Sequence, residues 1–208
     1  MNQKPDLIYN CVMRTYRAVN LNVLWFLIAL NVVLFIITLL RPEETIKFLG
    51  LTPVLFSRQP WTIISSMFVH GSFTHILFNM ISLYFLGSFL IRVAGERSFL
   101  AVFFLGGLAG NILFALLANP LSTGIGASGG VLALGGALAV IVPRAPVLIF
   151  PIPVPMPLWV AILIFFFILI ILPMLIGGMI SWQAHLGGLL LGLIAGLTFR
   201  KRRRISYF

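Results

Sequence analysis

Two residue types that together hydrolyse acyl bonds, serine and histidine, stand in this chain at the heads of apolar runs. Ser128 lies in Gly126-Ala127-Ser128-Gly129, and His185 lies in Gln183-Ala184-His185. A serine hydroxyl is inert until a base takes its proton, and histidine is the usual base. At a helix N-terminus the free N–H groups and the helix dipole favour developing negative charge. Glycines on either side let a substrate backbone come close. Taken alone, Gly-x-Ser-Gly reads more readily as a helix cap, and His185 as a hydrogen-bonded packing histidine. An imidazole facing the glycine-rich serine helix shifts the balance toward a Ser128–His185 dyad.

His75 and Asn79 are spaced i, i+4 and share a helix face. Both can donate hydrogen bonds, as an oxyanion hole requires; their other reading is polar glue between helices. His70, five residues before His75, does not share that face well. All four acidic residues (Asp6, Glu43, Glu44 and Glu96) fall outside the apolar spans, which leaves no intramembrane carboxylate for a triad or an aspartyl pair. There is no His-Glu-x-x-His pattern, and the lone Cys11 offers neither an intrachain disulfide nor a cysteine metal site. No metal, nucleotide or organic cofactor is implied.

The elements that must position these residues are membrane helices. Of 208 residues, 61% are hydrophobic and 9% charged, too few charges for a surface facing only water. Residues 18–40, 59–91, 98–143 and 145–199 contain no Asp, Glu, Lys or Arg. A helix of about 20 apolar residues crosses the hydrocarbon core, so the first two stretches hold one span each and the last two hold two each. Asn119-Pro120-Leu121-Ser122-Thr123-Gly124 divides the third stretch, and Pro173 with Gly177-Gly178 to Gln183 divides the fourth. Six spans are predicted, at about residues 20–40, 72–91, 98–118, 126–143, 158–176 and 184–199. The first is too long for a removable signal peptide and is followed by no small-residue cleavage site.

With both termini cytoplasmic, the inner segments carry Lys4, Arg14, Arg17, Arg92, Arg97, Arg144 and the run from Arg200 to Arg204. Only Arg41, Lys47 and Arg58 of the 14 basic residues fall outside. That asymmetry fixes the orientation and accounts for the net charge of +10. The basic tail reads as an anchor beside anionic lipid in preference to a nucleic-acid contact. Residues 1–20 are then a cytoplasmic tail, 21–199 a single membrane domain and 200–208 a basic cytoplasmic tail. In this topology the even-numbered spans all run inward, so His75, Asn79, Ser128 and His185 lie in one layer just below the outer surface. The outer connection from Arg41 to about Gly71 contains the apolar Phe48–Phe56, which is expected to dip into the interface and lean on the bundle. Pro151, Pro153, Pro155 and Pro157 cannot continue a helix and suit an extended inner linker. Gly188, Gly192 and Gly196 lie on one face of span six, and glycines crowd span four, which places these two spans at the centre of the bundle.

At these residues the chain resembles the rhomboid intramembrane serine proteases. Phe68–Met80, with His75 and Asn79, is similar to the family's His-x-x-x-Asn segment. Gly126-Ala127-Ser128-Gly129 is similar to its Gly-x-Ser-Gly motif, and Ala184-His185-Leu186-Gly187-Gly188 to its Ala-His-x-x-Gly motif. Three such motifs in order on the expected spans are far more specific than any one. The resemblance implies that Ser128 attacks the peptide carbonyl, His185 shuttles the proton, and His75, Asn79 and the Ser128 N–H hold the oxyanion. Two positions depart from the family pattern: Trp61 is followed by Thr62 where the family often has arginine, and Ile91 stands where it often has glutamate.

The expected protein is an all-α, six-transmembrane-helix rhomboid-type bundle in a lipid bilayer, in the plasma (inner) membrane of a prokaryote. Its expected partners are transmembrane protein substrates, with no nucleic acid, and it cleaves peptide bonds in or near their spans. The rivals are a catalytically silent rhomboid-like protein that binds membrane clients and a small transporter. The first would be expected to lack Ser128 or His185; the second needs a polar path to the inner side, where the spans are almost wholly apolar. Substrates are expected to enter laterally past span five, whose outer end Pro173, Gly177 and Gly178 make easy to bend, with Trp182 covering the dyad at rest.

Overall fold

The computed structural model describes residues 19–149, 152–168 and 181–205. The first charge-free stretch forms α1 (Asn22–Leu40), which ends where Arg41 is followed by Pro42. Proline is favoured in a first helical turn, and α2 (Pro42–Leu49) starts on it, with Glu43 and Glu44 at its positive end and Lys47 at its negative end. The rest of the outer connection is built of short turns: 3-10 turns at Pro53–Leu55 and Ser66–Phe68, and the four-residue α3 (Thr62–Ser65). This connection leans on the bundle as expected. Leu51 and Gly124 exchange backbone hydrogen bonds of 3.0 and 2.8 Å, and the Thr52 and Thr123 hydroxyls lie 2.8 Å apart.

Helix α4 (Phe73–Ala94) opens under the Ser72 side chain, which accepts the His75 N–H at 3.2 Å. Gly95, at φ 89°, makes the turn into α5 (Glu96–Leu117). Helix α6 (Ser128–Ile141) follows, then two short strands, β1 (Pro146–Ile149) and β2 (Ile152–Pro157), then α7 (Leu158–Phe166) and α8 (Trp182–Ile205). Helices α1, α4, α5 and the Trp182–Phe199 part of α8 are long and apolar enough to cross a membrane, and α6 is a shorter apolar helix. The stretch expected to form span five is described only as far as residue 168, so Pro173, Gly177 and Gly178 lie outside the described residues.

One element differs from the sequence expectation. The proline-rich linker is extended, but it is paired: Pro146 faces Pro157 and Val147 faces Met156 in an antiparallel ladder. The Leu158 N–H donates to Ala145 O at 2.9 Å, which sets the phase of the ladder. The Met156 N–H then points toward β1, while Pro157 takes a position whose missing N–H would point away from it; beyond this pair the register shifts between Val147 and Ile149. Prolines at every second position forbid a helix and still permit an edge strand.

Helix α6 is the axis of the fold. Every residue from Gly129 to Leu138 is buried, and α4, α5, α7 and α8 all pack on it. Backbone proximity makes this arrangement. A methyl group on Gly188 or Gly192 would run into the backbone of Gly129 or Ala133, and one on Gly196 would meet Ala137 O at 2.7 Å. The glycine stripe of α8 thus lies directly on α6, and Gly106 of α5 meets Ala133 from another side.

Candidate active site

Ser128 is the first residue of α6, and His185 stands in the first turn of α8. Because the α6–α8 contact is glycine against backbone, the two helix heads are close. Ser128 Oγ and His185 Nε2 lie 2.7 Å apart, within hydrogen-bond distance. His185 is buried, and its Nδ1 has no protein partner among the described residues. With the ring proton on Nδ1, the Ser128 hydroxyl donates to Nε2, as abstraction of that proton by a neutral imidazole requires.

His75 approaches from α4. Its Nε2 lies 2.6 Å from the position a Cβ on Gly126 would take, and Gly126 has φ 117°. Only glycine fits that backbone and that space. Asn79, one turn further along α4, is buried, and its Nδ2 donates to His75 O at 2.9 Å. One of its amide hydrogens is thus held in the helix and the other is left for the cavity. Ser128, His185, His75 and Asn79 all line one cavity of about 580 Å³, which continues past Phe78 and Ser82 of α4 to Phe165 of α7.

The outer connection completes the surroundings. Gly126 N–H donates to Ser66 O at 2.8 Å, and Ala127 N–H to His70 Nε2 at 3.5 Å. The α6 ladder begins with Val131 N–H on Ala127 O at 3.0 Å. The N–H groups of Ser128, Gly129 and Gly130 are therefore outside it, at the positive end of the helix dipole. His70 is fully buried, and its ring meets that of His75 edge-on at 4.9 Å. Burial pushes its pKa down to about 3; nearby His75 adds to this and the Phe68 backbone opposes it. The spacing argument places His70 off the His75 face. In the structure it precedes the helix altogether and reaches the same site from the loop. Trp182 opens α8 half-buried, and it is Ser181, not Trp182, that lines the cavity. Phe165 and Ser82 were not singled out by sequence, where a phenylalanine among apolar residues carries no signal.

The chain matches the Rhomboid domain model over residues 57–202, from the outer connection through α8. It belongs to the rhomboid family. It is similar to the rhomboid-family protein YdcA of Bacillus subtilis (strain 168), at 29% identity over 188 residues, covering 88% of this chain and 91% of YdcA. It is similar also to Rhomboid protein 1, mitochondrial, of Saccharomyces cerevisiae, at 30% identity over 146 residues, covering 67% of this chain and 42% of that protein. Rhomboid-like protease 3 of Toxoplasma gondii is 25% identical over 129 residues, covering 58% of this chain and 48% of its own length. The chain thus spans nearly all of YdcA and less than half of the other two rhomboids. The rhomboid match begins after α1 and α2 and takes in all four residues around the cavity. Apolar helices and family together make this a membrane protein.

Proposed function

We propose that this rhomboid is an intramembrane serine endopeptidase that cleaves peptide bonds in or near transmembrane segments of other membrane proteins. The observation that carries the reading is the 2.7 Å approach of Ser128 Oγ to His185 Nε2 at the head of a cavity inside an apolar helical bundle. Ser128 attacks the peptide carbonyl while His185 takes the hydroxyl proton and later delivers it to the leaving amine. The oxyanion is held by the Ser128 N–H, His75 and the free amide hydrogen of Asn79. Water then hydrolyses the acyl-enzyme, with His185 again as base.

Six spans with both termini cytoplasmic suit this chemistry. Fourteen residues give α6 a length of about 21 Å against roughly 30 Å of hydrocarbon. A helix that short leaves part of the hydrocarbon depth to other backbone, and in this reading the gap lies on the outer side, from which water reaches Ser128. Substrates enter laterally between α4 and span five, a route supported by the cavity's extension from Phe78 and Ser82 to Phe165. Trp182, at the head of α8 beside the cavity-lining Ser181, helps cover the dyad at rest. Incubating the detergent-purified protein with a transmembrane substrate, beside its Ser128→Ala variant, tests the proposal. Cleavage by the wild type alone is expected, and equal cleavage by both would sink it.

A further inference from the structure

Asn111 is an amide within the 22-residue apolar helix α5, and the chemistry of Ser128 and His185 makes no use of it. A buried amide in a membrane is costly unless its N–H groups find acceptors. Asn111 is 8% exposed, and its Nδ2 donates to the Ile63 carbonyl at 2.8 Å and to the Ser66 hydroxyl at 2.9 Å. Both acceptors lie in the outer connection, where α3 gives way to the Ser66–Phe68 turn. Such a short helix cannot hold its own geometry, since it closes too few hydrogen bonds. One helical turn before Asn111, Gly107 leaves the space that the Met67 side chain fills. Three residues after it, the Phe114 ring covers Gly124. A single face of α5 thus receives both the turn and the segment that leads to Ser128.

The turn passes the constraint on. The Ser66 carbonyl accepts the Gly126 N–H at 2.8 Å, and Gly126 is the positive-φ residue against which His75 rests. Hydrogen bonds in series run from α5 through the outer connection to the residue two before Ser128. We infer that Asn111 is a positioning residue: by clamping the Ile63–Ser66 turn it fixes the carbonyl that holds Gly126, and so the backbone that presents Ser128 to His185 and His75. The kinetic part of this inference rests on Ser128 being the nucleophile; the mechanical part does not.

Asn111→Leu keeps the branched shape, with larger end groups, and removes both bonds. Hydrogen exchange of the full chain in detergent should then quicken by about fivefold or more in residues 122–130, and not in the inner half of α8. A serine-directed fluorophosphonate should still label every molecule, but more slowly, and kcat should fall by about ten- to a hundredfold, the scale of a small misplacement. KM should stay within about twofold, since the clamp does not touch substrate. Unchanged exchange at 122–130 overturns the inference, as does a labelling end-point that falls in step with kcat at unchanged rate, which means only a lost folded fraction. Should Asn111→Leu not fold, Ser66→Ala removes only the hydroxyl acceptor and should shift the same quantities less, in the same direction; no shift overturns the inference. If the wild type itself takes no label, the role of Ser128 falls while the exchange measurement still decides on the clamp.

Discussion

His75 and Gly126 compete for one space: the imidazole Nε2 stands 2.6 Å from where a methyl group on Gly126 would be. Gly126→Ala must therefore push His75 from the head of the cavity, and φ 117° adds backbone strain of about 1–3 kcal/mol. A loss of turnover of about a hundredfold or more is expected. Thermal unfolding and cleavage assays on one preparation check it; unchanged activity would mean that His75 has no part in the site.

Ser128→Ala and His185→Ala are each expected to remove cleavage almost completely while the bundle stays folded. Removing either member of a cooperating pair costs about as much as removing both. A fluorophosphonate should label the wild type at Ser128 and leave the Ser128→Ala protein unlabelled. Near wild-type cleavage by that variant contradicts the mechanism.

Asn79→Ala and His75→Ala are each expected to lower kcat by roughly ten- to a thousandfold, the scale of one lost oxyanion donor. His70→Ala should cost less turnover and more stability, because its ring is fully buried and its Nε2 accepts the Ala127 N–H. Turnover measured beside melting temperature for the three variants separates the roles. Equal, severe loss of kcat at His70 would move it into the oxyanion site.

Acid should weaken the fold through His70. Its folded pKa is lowered from 6.5 to about 3, so between those values the unfolded chain binds a proton that the folded chain refuses. This contribution is complete above pH 6.5 and is lost as the pH falls toward 3. His70→Gln, which keeps an acceptor and cannot titrate, should show a shallower decline of melting temperature over that range. An identical decline would assign the acid sensitivity elsewhere.

Lateral entry predicts that Trp182→Ala raises turnover of a transmembrane substrate and hardly changes labelling of Ser128 by a small reagent, since a closing element often limits turnover. Cross-linking cysteines placed at Ser82 and Phe165, in a Cys11→Ser background, should block the membrane substrate and spare the small reagent. Undiminished cleavage after complete cross-linking would rule out this route.

The helices were legible because charge-free length is a local property. The described helices α1, α4 and α5 begin and end within a few residues of the charge and glycine signals that announced them. The four residues around the cavity stood out for a similar reason, as polar groups among apolar ones. Asn111 carries the same signal within span three, but its role depends on Ile63 and Ser66, which are far away in sequence and which no local pattern connects to it. The β1–β2 pairing was hidden for the same physical cause. Alternating prolines declare what the backbone cannot do, whereas a strand's partner is set by contacts that no local pattern encodes.

Those prolines also determine how the hairpin meets its neighbours. A two-stranded sheet ordinarily offers two free edges, each able to recruit another chain. Along β2 the position that would donate outward at residue 157 is a proline, so that rim has an acceptor and no donor there. On β1 the same phase turns the missing N–H of Pro146 outward, opposite Pro157, so both rims lack a donor at that level. Copies of this rhomboid crowded in one plane of lipid therefore meet hairpins whose two rims are both short of donors, which works against a continuous ribbon between them.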